Sequence, residues 1–499
     1  MNLMMLAEMA ATGHGERVAF GPADGGVSYG ALFERARRGA RYLRERGTAE
    51  VVFLAGNSEA FPVTLFACAC AGVPLVPLNY RLGEADLSML LGDHPEALLV
   101  VDPALEALVD ETGHEVCTLD AWHEVTADGN EADEQWSMDG DDVALLLYTS
   151  GTTARPKAAV VRQRHLVSYV LGTVEFASAA EGDASLVSVP PYHIAGVSNA
   201  VTNVYSGRRV VYLDRFAPED WLALAADERV THALVVPTML ARIVHHLEAD
   251  GDAPSPALRS VAYGGARMPA PVIEQALRLF PDTDFVNAYG LTETSSTIAV
   301  LGPDDHRAAV TGTDPAAKAR LGAAGRLVPG VEAEIRDADG APVPVGEVGE
   351  IWVRGEQVSG EYAGEPSGLD DAGWFDTHDR GHLDEDGYLF VEGRSDDTII
   401  RGGENVAPAE VEDVLVRHPD VGDVAVVGLP DEEWGERIAA VVVPRPGRSV
   451  DDGELRAWAL ERLRTSMAPD HIEVWGELPR TETGKVIRRR ILAELAPSD

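Results

Sequence analysis

The sequence predicts an α/β protein: a large N-terminal domain of helix-covered, mostly parallel sheets with a small β-barrel-like part, followed by a small α+β C-terminal domain. Three observations predict this. Between about residues 27 and 290, short β-type runs alternate with helix-length amphipathic segments, the rhythm of βα units. After Gly322 the hydrophobic period drops to two, as in antiparallel hairpins with one wet face. At Asp396 a charged break opens a stretch of about a hundred residues with its own strands and helices, so domains are expected at 1–395 and 396–499.

The elements follow in order. Tyr29, Leu32, Phe33, Ala36, Ala40 and Leu43 recur at helical spacing between charged residues, which marks an amphipathic helix. Val51-Val52-Phe53-Leu54 reads as a buried strand, with comparable strands at 74–78, 97–101, 143–148, 185–189, 209–213, 233–236, 260–263 and 284–288. In the antiparallel region 331–336 and 350–354 alternate strictly, the first running into the turn Asp337-Ala338-Asp339-Gly340, and 384–391 forms another hairpin. Strands at 424–427, 438–443 and 472–475 belong to the last domain. No internal repeat or low-complexity stretch interrupts this order.

Composition narrows the function. The 499 residues carry 82 Asp or Glu against 41 Lys or Arg, a net charge of −41, which speaks against partners such as nucleic acid or an anionic membrane. Lysine occurs only at Lys157, Lys318 and Lys485, leaving 41 − 3 = 38 arginines. With 45% apolar and 25% charged residues the chain reads as globular. Cys68, Cys70 and Cys117 are too few for a disulfide framework, and the run around Cys68 and Cys70 is apolar enough to be core. Residues 1–11 lack a basic leader and no run of about 18 apolar residues occurs, so a cytoplasmic enzyme is expected.

Open α/β sheets bind ligands beyond the carboxyl ends of their strands. Four predicted strands here run into polar or glycine-rich loops: 149–157, 190–196, Gly264-Gly265-Ala266, and Tyr289-Gly290-Leu291-Thr292-Glu293-Thr294. Such loops on consecutive strand ends point to one shared cleft. The first offers the hydroxyls of Thr149, Ser150, Thr152 and Thr153, the backbone of Gly151 and the ammonium of Lys157, an inventory suited to a polyphosphate. The competing reading is a solvated Ser/Thr turn; one of only three lysines in it weighs toward phosphate. In the fourth, Tyr289 could stack on a purine and Glu293 supply a hard oxygen to Mg2+, the alternative being that Thr292 and Glu293 only begin a helix. Walker spacing, the HExxH zinc helix, paired-Cys zinc sites and the Rossmann fingerprint are absent from the sequence, and its Gly-x-Ser-x-Gly stretch, Gly26-Val27-Ser28-Tyr29-Gly30, follows no predicted strand as a nucleophile elbow would.

With these loops assembled, the chain resembles the adenylate-forming superfamily of acyl- and aryl-CoA synthetases, carrier-loading adenylation domains and luciferases. The likeness covers nearly the whole chain. It rests on 148–157, 289–293, the Gly-Trp-Phe-x-Thr-x-Asp segment at 373–379, Gly393-Arg394-Ser395-Asp396-Asp397, 402–412 and 478–485, in that order.

The resemblance implies that Thr149, Ser150, Gly151, Thr152, Thr153 and Lys157 hold the ATP β- and γ-phosphates, Thr152 counting among the catalytic groups. Gly264, Gly265 and Ala266, with Asn287, Ala288, Tyr289 and the following Gly290, surround the adenine. Thr292 meets the α-phosphate, Glu293 the Mg2+, and Asp379 the ribose hydroxyls with Arg394 nearby. Lys485 stands between the attacking carboxylate and the α-phosphorus. Asp396 is the hinge of a mobile C-terminal domain whose rotation brings Gly402 and Gly403 to the thiol channel. His193 sits beside an acyl pocket that includes Val197, Gly264 and Thr294.

The implied activity is ATP-dependent conversion of a carboxylic acid to an acyl-adenylate, followed by transfer to coenzyme A. One alternative is a free-standing adenylation enzyme that loads a carrier protein; another is a non-catalytic nucleotide-binding protein, against which Lys485 stands together with Glu293 and Asp379. A homodimer is a compatible assembly. Ala154 and Ala158 replace glycines usual in the family, and Arg401 and Met467-Ala468-Pro469 depart from its pattern, which bears on the thiol step. The expected pocket segments, 193–199, 236–239, 264–268 and 294–298, hold mostly small, aliphatic or hydroxylated side chains, with Arg267 the one arginine among them. An aromatic or medium-length acid is therefore expected before a dicarboxylic one.

Overall fold

The computed structural model describes residues 1–127, 132, 135–149, 156–250, 257–312, 314–402, 404–431, 434–481 and 484–495. Among them the strands form three sheets. The first runs in the order Glu115–Thr118, Leu98–Val101, Val51–Leu54, Leu75–Pro77, Val143–Thr149, Lys157–Arg162, all parallel except the last pair. Its central strand is fully buried because it serves two cores: Val51 and Phe53 pack with Tyr29 and Leu32, whereas Val52 and Leu54 pack with Leu87 and Leu90. Alternation across the pleat sends successive side chains to opposite faces, and covering both faces with helices requires a continuous apolar run.

The amphipathic segment forms the helix Tyr29–Glu45, whose Ser28 hydroxyl accepts from the Ala31 amide at 3.1 Å. Cys68 and Cys70 are buried in the helix Ala60–Ala71, and burial pushes the Cys68 thiol pKa far up. The sequence reading missed the N-terminal helix Leu3–His14, capped by Asn2, whose Oδ1 accepts from the Met4 amide at 2.8 Å. No helix among the described residues is long and apolar enough to cross a membrane.

The second sheet has a parallel part ordered Arg209–Tyr212, Ala184–Val187, His232–Val235, Ser260–Gly264, Asp284–Leu291. Asp284–Leu291 then pairs antiparallel with Ser296–Leu301, and hydrogen bonding continues through Gly325–Leu327, Tyr388–Arg394, Phe375–Leu383, Gly349–Gly355 and Val331–Arg336. The alternating segments therefore extend the parallel sheet, while keeping a core of their own around Ile335, Ile351, Val353, Phe375 and Leu389.

A 3-10 turn, Ser395–Asp397, leads into the third sheet. There the long hairpin Val421–Asp431 with Gly435–Pro444 carries Ile399–Arg401 and Glu404–Val406 on one side, and His471–Val474 pairs with Gly435–Pro444 in parallel. Separate apolar clusters cover its two faces, one with the helices Pro408–Leu415 and Asp452–Leu460 and the other with Arg488–Leu495.

Candidate active site

Ser260–Gly264 and Asp284–Leu291 lie in parallel register, Tyr263 opposite Asn287 and Gly264 opposite Ala288. The loops at their carboxyl ends therefore emerge side by side. A Cβ on Gly264 would stand 2.2 Å from the Ala288 carbonyl oxygen, so only glycine allows this approach. Asn287 turns its amide to the Ala323 carbonyl at 3.1 Å.

The Tyr289 hydroxyl donates to Asp379 Oδ2 at 2.6 Å. Asp379 lies on Phe375–Leu383 opposite Arg394, whose guanidinium donates to the Thr377 carbonyl at 3.2 Å and reaches Asp379 Oδ1 at 3.5 Å. Asp379 is only 7% exposed, and burial pushes its carboxyl pKa up against the opposing pull of Tyr289, Arg394 and Lys485. The Tyr289 phenol is held well above its ordinary value, first by burial and then by the Asp379 charge. A recessed acceptor bracketed by a ring and a cation results, with the chemistry to take a diol.

On the other side of the cleft Thr149 pairs with Lys157 where two antiparallel strands meet. Ser150, Gly151, Thr152 and Thr153, with Ala154 and Arg155, lie outside the described residues, as does Gly403. Ala158 is an ordinary strand residue paired with Tyr148. Lys157 Nζ sits 2.9 Å from Glu365 and 5.6 Å from the centre of the Tyr362 ring. Thr292 and Glu293 form a single 3-10 turn, Thr292–Thr294. Inside that turn Glu293 is buried, and Tyr362 donates to its Oε1 at 2.6 Å.

Among the described residues no group of three or more His, Cys, Asp or Glu could hold a metal. Mg2+, however, is commonly bound by one or two carboxylates plus phosphate oxygens and water. Glu293 fits that role: one oxygen takes the Tyr362 hydroxyl and the other makes no hydrogen bond among the described residues.

His193 precedes the helix Ile194–Ser206 and packs against the Tyr192 ring at 4.7 Å. Burial lowers its pKa to about 4, so the imidazole is neutral at pH 7. Val197, one turn on, is wholly buried in the first core. The Thr294 hydroxyl is fully occupied: it accepts from the Leu291 amide at 2.9 Å and faces the carbonyls of Leu291 and Ser296 at 3.1 and 2.8 Å.

The C-terminal domain closes the cleft. Gly484 has φ +80°, and a Cβ there would lie 2.2 Å from the Thr238 hydroxyl at the start of the helix Pro237–Asp250. This contact sets Lys485 within electrostatic reach of Asp379 and Arg394. Lys485 keeps solvent access, yet the surrounding protein and the Arg394 cation lower its ammonium pKa against the pull of Asp379 and Asp397. Arg267, next to the Gly264-Gly265-Ala266 loop, forms an ion pair with Asp413 of Pro408–Leu415. Asp396 is exposed in the connecting turn. The Gly402 amide donates to the Trp434 carbonyl at 2.7 Å. Arg401 donates to the Ala468 carbonyl at 3.5 Å, within the Met467-Ala468-Pro469 segment, and to the flanking Ser466 carbonyl at 3.1 Å, and pairs with Asp470 at 2.8 Å.

Sequence reasoning did not single out Tyr362 or Glu365, which reach the cleft through chain pairing; it included Thr238 and Arg267 only within the pocket segments 236–239 and 264–268, not as contacts to the C-terminal part of the chain.

The AMP-binding enzyme family matches residues 7–363, and its C-terminal domain matches residues 410–485. A feruloyl-CoA synthase from an Amycolatopsis species is 35% identical over 476 residues, covering 93% of both chains. A fatty acid–[acyl-carrier-protein] ligase of Streptomyces coeruleorubidus is 33% identical over 486 residues, covering 93% of this chain and 91% of the relative. The structure of o-succinylbenzoate CoA synthetase from Bacillus subtilis, in complex with its acyl-adenylate intermediate, superposes with a TM-score of 0.84 at 30% identity, covering 97% of each chain.

Proposed function

The chain belongs to the AMP-binding enzyme family, within the adenylate-forming superfamily, and we propose that it is an ATP- and Mg2+-dependent acid–CoA ligase working through an acyl-adenylate. The observation that supports this reading is the close packing of Gly484 on Thr238, which brings the neighbouring Lys485 within electrostatic reach of Asp379 and Arg394.

A carboxylate is a weak nucleophile facing a polyanionic nucleotide, so both must be held in line and the charge on phosphorus neutralised. In this reading Lys157, with the hydroxyls of Thr149, Ser150, Thr152 and Thr153, holds the β- and γ-phosphates. Gly264, Gly265, Ala266, Ala288 and Gly290 shape the adenine slot, and Asp379 accepts the ribose hydroxyls. Thr292 faces the α-phosphate. Bound at Glu293, Mg2+ would neutralise phosphate charge. A carboxylate oxygen bonds to the α-phosphorus as the bridging P–O bond to the β-phosphate breaks, and pyrophosphate leaves. Lys485, a compact charge on a flexible stem, stabilises that transfer where a forked guanidinium would not fit.

In the second half the thiol of coenzyme A loses its proton, its sulfur bonds to the acyl carbon, and AMP departs. Domains 1–395 and 396–499 turning about Asp396 would withdraw Lys485 and bring Gly402 and Gly403 to the cleft. On the acyl side, beside Val197, Gly264 and Thr294, the neutral His193 supports a monocarboxylic acid with an aromatic or medium-length apolar body.

A second reading, loading of a carrier protein, is favoured by the fatty acid–[acyl-carrier-protein] ligase among the relatives. An acid panel scored by pyrophosphate release, followed by mass measurement of products formed with coenzyme A or with holo carrier proteins, tests both. The acid–CoA reading expects an acyl-CoA; acylated carrier without acyl-CoA overturns it. Light scattering of the purified chain at twice the monomer mass would support the homodimer, and the monomer mass would exclude it.

A further inference from the structure

Residues 359–365 touch both of the groups assigned above to phosphate and metal. At one end the Ser359 amide and hydroxyl both donate to the Glu293 carbonyl, at 2.8 and 3.1 Å. In the middle the segment pairs with the strand that begins at Lys157: the Val160 amide donates to the Glu361 carbonyl and the Ala363 amide to the Ala158 carbonyl, each at 2.9 Å. Tyr362, opposite Ala159 in this pairing, sends its hydroxyl to Glu293 Oε1 at 2.6 Å. At the far end Glu365 holds Lys157 Nζ at 2.9 Å. Backbone pairing fixes the segment at residues 361 and 363; Tyr362 lies between these points and Glu365 just beyond them, making the 2.6 and 2.9 Å contacts to the two charged groups.

We propose that residues 359–365 are a strap that presets both groups together. Tyr362 is a positioning residue that aims Glu293, and Glu365 is a phosphate surrogate that holds Lys157 until the ATP γ-phosphate displaces it. The Tyr362 hydroxyl occupies one carboxylate oxygen and so turns the other toward the cation, which is how an outer partner orients a ligating group. The Lys157–Glu365 pair is 38% and 40% exposed, so breaking it costs little. An ammonium with three rotatable donors passes readily from one oxygen pair to another. On departure of pyrophosphate the carboxylate recovers the lysine.

This inference rests on the assignment of Lys157 and Glu293 under the ligase reading, and calorimetric titration of the full chain with ATP tests it without acid or acceptor. Tyr362→Phe should bind Mg2+-free ATP as the wild type does and lose about tenfold of the tightening that Mg2+ provides, the scale of a hydrogen bond to a charged group. Glu365→Gln should bind ATP about two- to fivefold more tightly, the range of an exposed ion pair. That gain should vanish in a Lys157→Gln background, where no partner is left to release. Equal weakening of Mg2+-free and Mg2+-loaded ATP binding in Tyr362→Phe, or an undiminished gain from Glu365→Gln without Lys157, overturns the strap. If the wild type binds ATP and both variants match it, only the strap falls; if the wild type does not bind ATP, the ligase reading falls with it.

Discussion

The Tyr289 hydroxyl meets the Asp379 carboxylate at 2.6 Å, tying the last of the parallel strands, Asp284–Leu291, to Phe375–Leu383 in the antiparallel extension of the same sheet. The folded-state pKa of Asp379 is raised by burial, so at neutral pH its charge costs the native state stability, and that cost disappears as pH falls through the folded value. Asp379→Asn is therefore expected to melt at or above the wild-type temperature at pH 7, with the difference shrinking in acid. Its KM for ATP should rise about tenfold or more, because a charged acceptor is lost. Differential scanning calorimetry across pH, paired with ATP kinetics, checks both.

Lys485 gives a pH signature of the adenylation half-reaction. Its ammonium pKa is lowered from the ordinary 10.5, chiefly by the protein that crowds around it and then by Arg394. Acyl-adenylate formation should accordingly fall at a pH below the ordinary lysine value as the cation deprotonates. Lys485→Arg, permanently charged but bulkier, should be slower and lose that alkaline limb. The measurement is the pH profile of single-turnover adenylation.

The Arg267–Asp413 ion pair fastens the loop proposed to flank the adenine to the helix Pro408–Leu415. Both partners are partly exposed, so Arg267→Ala should slow adenylation about two- to fivefold. Transfer from a supplied acyl-adenylate to coenzyme A, which needs the other domain pose, should be unchanged or faster. Stopped-flow assays of the separate half-reactions decide this.

A net charge of −41 makes the chain repel itself at low ionic strength. Added KCl should raise the melting temperature as screening relieves that repulsion. A melting temperature that falls between 0.1 and about 1 M KCl would count against surface repulsion as a destabilising term.

Much of this was legible in the sequence because the βα region writes its fold locally. Runs such as 51–54 announce burial on both faces, and the loops after 260–263 and 284–288 fall side by side once their strands pair in parallel. Lys157 and Lys485 stand out by composition alone, as two of three lysines against 38 arginines. Tyr362 and Glu365 were not legible: they enter through an isolated bridge to Ala159 that no hydrophobic period encodes. The continuity of the parallel sheet into its antiparallel part was equally hidden, since it depends on the short strand Gly325–Leu327. Arg267 and Asp413 meet across 146 residues of sequence, a relation set by tertiary packing rather than local spacing.

The central claim is that Lys485 and the cleft around Asp379 make an acyl-adenylate. Carboxylate-dependent exchange of labelled pyrophosphate into ATP tests it most directly, in the wild type and in Lys485→Ala. The account predicts exchange with at least one apolar monocarboxylic acid, and a loss of about 10²–10³-fold in Lys485→Ala with ATP binding retained. Absence of exchange with every acid tried, or undiminished exchange in the variant, would contradict it.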